Sequence, residues 1–158
     1  GGAGDDIITG GAGDDMLTGG GGADTFRFGT DGSVVGTAQD EITDFNTGGL
    51  DILDFGGNAS LLAAELDGQT ATSDVDTTVG GRILFNAADD TLAEKITTVQ
   101  ADAELDAPGS FGFFKESSNY YAYYAGAATG DADDQIIELS GVTALANATI
   151  SNGDVTIA

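Results

Sequence analysis

Along the first 27 residues a large apolar side chain recurs at every ninth place, at Ile8, Leu17 and Phe26, with small and polar residues between. That period is too long for a helical turn or a strand pleat. It predicts one very short strand per repeat, its apolar residue turned inward, with a tight turn before the next. Two repeats then make one circuit, and residues two repeats apart stack. Beyond the repeats the period shortens to two. Thr25 to Phe28, Glu41 to Phe45 (Ile42 on one face) and Asp51 to Phe55 read as strands, with a turn at Asn46-Thr47-Gly48-Gly49. Ser60 to Leu66 predicts a short helix capped by Ser60, and Arg82 to Phe85 a strand. From Asp90 a helical stripe runs through Leu92, Ile96, Val99 and Ala103 and stops at Asp106-Ala-Pro-Gly109. Phe111 to Phe114 and Asn119 to Ala125 flank a polar stretch as a hairpin, and Gln135 to Leu139 and Asp154 to Ala158 complete the strands.

The polar positions of the repeats are as regular as the apolar ones. Residues 1–9 read G-G-A-G-D-D-I-I-T, residues 10–18 G-G-A-G-D-D-M-L-T and residues 19–27 G-G-G-G-A-D-T-F-R. Glycine fills the first, second and fourth places (Gly1, Gly2, Gly4; Gly10, Gly11, Gly13; Gly19, Gly20, Gly22), and aspartate the sixth (Asp6, Asp15, Asp24). Glycine permits the tight, positive-φ turns that aim carbonyl oxygens inward. A carboxylate at the end of such a turn completes a set of hard oxygen donors of the kind calcium takes. A glycine-rich nonapeptide of this form is the signature of a calcium-binding parallel β-helix. A flexible Gly/Asp linker would not keep phase over three copies. Stacking puts Asp6 beneath Asp24. Asp15 belongs to the opposite edge, and its partner is either an upstream repeat or an acidic residue of the segment that follows. The chain therefore reads as beginning part-way through an array, as the C-terminal piece of a longer protein.

Charge sharpens this picture. The 158 residues carry 27 acidic and 4 basic side chains, a formal net charge of −23. Such a chain repels itself when compact, and bound divalent cations relieve the repulsion. With only Arg27, Arg82, Lys95 and Lys115, all scattered, nucleic acid is excluded as a partner and anionic membrane surfaces are disfavoured. Neither cysteine nor histidine occurs, which removes disulfides, the usual zinc, iron and copper sites, and histidine-based catalysis. No apolar run is long enough to span a membrane.

Repeats running into D-T-F-R-F (24–28), then D-E-I-T-D-F (40–45) and D-I-L-D-F (51–55), resemble the C-terminal domains of RTX proteins. That family includes secreted metalloproteases of the serralysin type, lipases, surface-layer proteins and large adhesins. The resemblance covers residues 1–56, with one extra residue between Gly48 and Asp51 and D-I-L-D-F in place of the usual I-D-L. It implies that acidic residues of this segment close the last calcium site. By motif position these are Asp40 and Asp51, with Asp44 beside them; the competing reading is of turn-capping or solvated aspartates. The stretch from Phe111 onward also resembles the ends of type I secreted proteins of this kind, in which the C-terminus is an uncleaved export signal. Asp154-Val-Thr-Ile-Ala158 fits that pattern and also reads as a final strand capping an open solenoid edge.

Three features compete for other roles. Tyr121 and Tyr123 share one hairpin face and Tyr120 and Tyr124 the other; packing is the plain reading and sugar stacking the alternative. Asp131, Asp133 and Asp134 start like a calcium loop but lack its central glycine and distal glutamate, and Asp74 and Asp76 are weaker candidates still. A carboxylate pair such as Asp131 and Asp134 acting as a glycosidase is expected from acidity alone and is not adopted. The expectation is thus a mainly β chain: a parallel calcium-binding β-roll over 1–56, continuing into a β-rich cap over 57–158 with one or two short helices. It is not an enzyme. Its function would be calcium-dependent folding, secretion and assembly at the end of an exported surface-layer or adhesin-type protein. Its partners would be calcium ions, upstream repeats, the type I secretion machinery and, in a surface lattice, its own copies. The alternative is the non-catalytic tail of a secreted metalloprotease or lipase.

Overall fold

The computed structural model describes residues 1–29, 39–56, 59–61, 76–77, 80–85, 91–102, 105, 107–126 and 133–158. The repeats supply β1 (Gly2–Ala3), β2 (Ile7–Ile8), β3 (Met16–Leu17), β4 (Gly20–Gly21) and β5 (Thr25–Arg27). Next come β6 (Asp40–Ile42), β7 (Ile52–Asp54), β8 (Ser60–Leu61), β9 (Asp76–Thr77) and β10 (Ile83–Leu84). Helix α1 (Leu92–Ala101) precedes β11 (Ser110–Glu116), β12 (Asn119–Tyr124), β13 (Gln135–Leu139), β14 (Ala148–Ser151) and β15 (Asp154–Ile157).

Odd-numbered repeats stack on one side and even-numbered ones on the other. β2, β5 and β7 pair in parallel with Ile8, Phe26 and Leu53 in register, and β3 pairs in parallel with β6 with Leu17 opposite Ile42. Neither stack is purely parallel once the rest of the chain joins. The five-stranded sheet runs β14-β15-β7-β5-β2, with β15 antiparallel to β7; the six-stranded sheet runs β3-β6-β13-β12-β11-β8, with β13 parallel to β6 and the β11–β12–β13 meander antiparallel. The architecture is therefore mainly β with mixed sheets, where the expectation was a parallel roll followed by a cap. The reason lies in the edges: β6 and β7 would each leave a row of unpaired backbone groups, and β13 and β15 pair with them.

The two sheets enclose one apolar core. Phe26, Leu53, Val155 and Ile157 meet Leu17, Ile42, Phe111, Phe113, Ala122, Ile137 and Leu139. Rings tie the repeat segment to the hairpin, Phe55 stacking on Tyr124 at 4.5 Å and on Phe28 at 5.4 Å. A second core lies on the reverse of the six-stranded sheet, where Phe114, Tyr121, Tyr123 and Ile136 pack against Val99, Leu105 and Ile83. All four tyrosines of the hairpin are buried, so their alternation serves packing on both faces.

Helix α1 starts two residues later than its sequence pattern, after a capping box in which the Thr91 hydroxyl accepts from the Glu94 N–H and the Glu94 carboxylate accepts from the Thr91 N–H. Val99 is fully buried, Leu92 and Ile96 flank it, and Lys95 is held by Glu116 at 2.8 Å; Ala103 lies outside the described residues. The helix expected over Ser60 to Leu66 is corrected at its start. Ser60 and Leu61 form β8, parallel to β11, because a seven-residue helix is marginal in isolation whereas the edge of β11 offers hydrogen bonds at once. Its remainder, with Asp74 and Asp131, lies outside the described residues. Among the described residues α1 is the one α-helix, and no helix is long and apolar enough to cross a membrane.

Candidate metal centre

The glycines of each repeat do two different jobs. Those at the second and fourth places (Gly2, Gly4, Gly11, Gly13, Gly20, Gly22) all have positive φ, between 103° and 145°, a conformation that costs little only without a Cβ. Those at the first place give room to the aspartate that closes the same turn. A Cβ on Gly10 would fall 2.8 Å from Asp15 Oδ2, and Gly1 and Gly19 stand in the same relation to Asp6 and Asp24.

The aspartates then join one turn to the next. The Asp6 N–H donates to Asp24 Oδ1 at 2.9 Å, and the Asp24 N–H donates to Asp51 Oδ1 at 2.9 Å. On the opposite edge the Asp15 N–H donates to Asp40 Oδ1 at 3.0 Å. A second lacing runs the other way through the fifth position: Ala23 N–H donates to Asp5 Oδ1 and Gln39 N–H to Asp14 Oδ1, both at 2.9 Å. The first and third repeats, and the second and the segment around Asp40, are thus joined by reciprocal backbone-to-carboxylate bonds, charge-assisted and stronger than neutral ones.

Asp51 and Asp40 are in these ladders because two further nonapeptides lie hidden in the sequence. Residues 46–54 (N-T-G-G-L-D-I-L-D) keep glycine fourth, aspartate sixth and leucine eighth; residues 35–43 (V-G-T-A-Q-D-E-I-T) keep glycine second, aspartate sixth and an apolar eighth residue. Ladder partners are 18 residues apart between Asp6 and Asp24 but 25 and 27 apart for the later pairs, because residues 28–34 and 44–45 stand between repeats. The apparent extra residue before Asp51 vanishes in this frame. Turn 46–51 sits directly on turn 19–24, so close that a Cβ on Gly48 would fall 2.5 Å from the Gly20 carbonyl oxygen.

Asp44 has a different geometry. Its two oxygens accept the Gly19 and Gly20 N–H groups at 2.9 and 2.8 Å, which closes the third repeat's turn from outside. Asp24, Asp40 and Asp51 are almost wholly buried. Burial pushes the Asp40 carboxyl above its usual range against the Asp15 N–H bond, and the charges of Asp15 and Asp14 push the same way. Asp51 is likewise raised, by burial first and then by Asp24 and Asp44, against hydrogen bonds from Asp24 and Asn46.

Residues present at the turns fit calcium. The donors are all oxygens, and Asp15 Oδ2 is buried without a hydrogen-bond partner. Among the described residues no three acidic side chains converge, so an ion here would draw on backbone carbonyls as well as carboxylates. Of the other candidates, Asp134 is buried and engaged by the Tyr123 hydroxyl at 2.7 Å and the Gly126 N–H at 3.1 Å. Asp76 lies in β9, paired with Leu84 of β10. Sequence reasoning missed Asp5, Asp14 and Asn46. Asp5 and Asp14 were legible as the only non-glycine polar residues before each sixth-place aspartate in the first two copies.

Residues 1–33 match a family model, the RTX calcium-binding nonapeptide repeat (4 copies). Nonapeptides of this family bind Ca2+, and calcium is accordingly the cofactor of this segment. No curated protein matches the chain.

Proposed function

We propose that residues 1–56 form a calcium-dependent β-roll and residues 57–158 its cap, and that the chain acts as a folding, secretion and assembly module of an exported surface-layer or adhesin-type protein. The reading rests above all on the laced carboxylate ladder Asp6–Asp24–Asp51, with Asp15–Asp40 on the other edge. Bound calcium supplies positive charge to hard oxygen donors. The chain's own part is to bring those oxygens together: second- and fourth-place glycines curl each turn, first-place glycines seat the carboxylate, and Asp40, Asp51 and Asp44 close the last turns.

Linkage gives the switch. A formal net charge of −23 opposes compaction where calcium is scarce. Extracellular modules of this class bind calcium with dissociation constants of ~10⁻⁴–10⁻³ M. A ligand at tenfold excess over one such constant stabilises the fold by only about 1.4 kcal/mol. Several coupled turns are therefore needed, and the stacked ladders couple them. Export by type I secretion, with folding outside the cell, follows from this dependence.

Calcium titration of the 158-residue chain, followed by circular dichroism and light scattering, tests the proposal. A cooperative gain of β signal, reversed by chelator, is expected, with ordered particles growing over the same range. A monodisperse monomer would favour the tail of a secreted protease or lipase instead. No response to calcium would overturn the folding switch.

A further inference from the structure

Asn46 stands between the last carboxylate of the ladder and the C-terminal strand, and it is bonded to both. Its backbone N–H donates to Asp51 Oδ2 at 2.7 Å, and its side-chain oxygen accepts the Asp51 N–H at 2.8 Å. Its side-chain amide donates to the Ile157 carbonyl at 2.6 Å. Asn46 sits at φ 60°, a left-handed conformation that asparagine tolerates and most residues avoid. Strand β15 pairs Val155 with Leu53 in antiparallel register, so two residues further along Ile157 stands opposite Asp51. Ile157 is itself fully buried in the core between the sheets.

The geometry points to Asn46 as a positioning residue that couples occupancy of the last calcium turn to docking of the C-terminal strand; this rests on the calcium reading above. Asp51 has one oxygen on the Asp24 N–H and the other on the Asn46 N–H, so its orientation is set from both sides. Asn46 is in turn held against β15 through the Ile157 carbonyl. Ordering Asp51 therefore orders Asn46 and favours the docked strand, and a docked strand preorganises Asp51. By linkage the two effects are equal in free energy. β15 acts here as part of the calcium turn and is more than an edge cover.

Two variants of the full chain separate this role from a plain turn role. Asn46→Gly keeps the left-handed backbone and removes both side-chain bonds. Asn46→Asp keeps an acceptor for the Asp51 N–H and loses the donor to Ile157. Calcium chloride titration by calorimetry, with amide exchange at residues 154–158 measured with and without calcium, reads both ends. In the unsubstituted chain calcium should slow exchange at 154–158. Asn46→Gly should weaken one calcium site by about tenfold and abolish most of that slowing. Asn46→Asp should lose the slowing while retaining calcium binding. Unchanged affinity and unchanged calcium-dependent slowing in both variants would overturn the coupling. An unsubstituted chain that gives no calcium heat would overturn the calcium reading itself, and this inference with it.

Discussion

The backbone N–H of Asp24 donates to a carboxylate oxygen of Asp51 2.9 Å away, across 27 residues of chain. Asp24 in turn accepts the N–H of Asp6 from the turn below. Asp24 is thus the middle rung of a three-rung ladder, whereas Asp15 is the first rung of a ladder that continues only to Asp40 among the described residues.

Asp24→Ala should therefore weaken calcium binding more than Asp15→Ala in this chain. The first removes an acceptor from Asp6 and a carboxylate between two turns; the second removes an oxygen at the outermost turn. A difference of roughly tenfold is expected from the loss of one charge-assisted hydrogen bond at a buried group. Calorimetric titration of both variants decides it, and equal losses would contradict a shared site for Asp6 and Asp24.

Leu53 is fully buried, between Phe26 of β5 and Val155 of β15 in one sheet. Leu53→Ala should cost about 2–5 kcal/mol, because the inner face of a packed sheet collapses little around a cavity. Urea unfolding at fixed calcium measures it. A cost within experimental error of zero would mean that the repeats and the C-terminal hairpin do not share this core.

Gly48→Ala should disturb the stack although it adds one methyl group. The new Cβ would fall 2.5 Å from the Gly20 carbonyl oxygen and 2.6 Å from Gly21 Cα, both backbone atoms that cannot swing aside. Gly56→Ala is the comparison, since no atom lies within 4 Å of the added carbon there and only its φ of 79° is strained. The expected result is weaker calcium binding for Gly48→Ala and a loss of stability without a change of calcium stoichiometry for Gly56→Ala. Calorimetry and thermal melts of the pair distinguish these outcomes.

Tyr121 gives a pH dependence remote from the turns. Burial, then the charge of Glu138 and its hydrogen bond at 3.2 Å, push its phenol up to about 12 from an ordinary value of 10.0. A group whose pKa is raised on folding contributes stability that is complete below its unfolded pKa and is lost as pH rises through the folded one. The fold should accordingly lose stability between pH 10 and about 12, and Tyr121→Phe should reduce that loss. Unfolding at a series of alkaline pH values measures the slope; identical slopes in both proteins would remove Tyr121 as the source.

Much of the calcium segment was legible in the sequence because each part of the nonapeptide answers a local requirement. Positive φ at the second and fourth places demands glycine, the first place must leave room for a carboxylate, and the eighth must be apolar. Those constraints act within nine residues, so the pattern showed them directly. The same holds for β13, expected over Gln135–Leu139 and found with those bounds, and for α1, whose stripe places Val99 in the second core. The fourth and fifth nonapeptides were hidden, since most of their glycines are gone and residues 28–34 and 44–45 break the period. Their register is fixed by stacking on earlier turns, and no single-sequence period records that contact.

The sequence by itself determined the ligand chemistry, the turns and the inward face of each short strand, because these depend on φ, side-chain volume and donor type at neighbouring positions. Tertiary structure alone decided which rungs Asp40 and Asp51 join, on Asp15 and on Asp24, that β8 is a strand, and that β13 and β15 extend the two stacks. Those outcomes rest on pairing between edges separated by tens of residues, from Asp24 to Asp51 and from Leu53 to Val155. An unpaired β edge accepts whichever segment the rest of the fold brings to it, and local preference carries no information about which segment that will be.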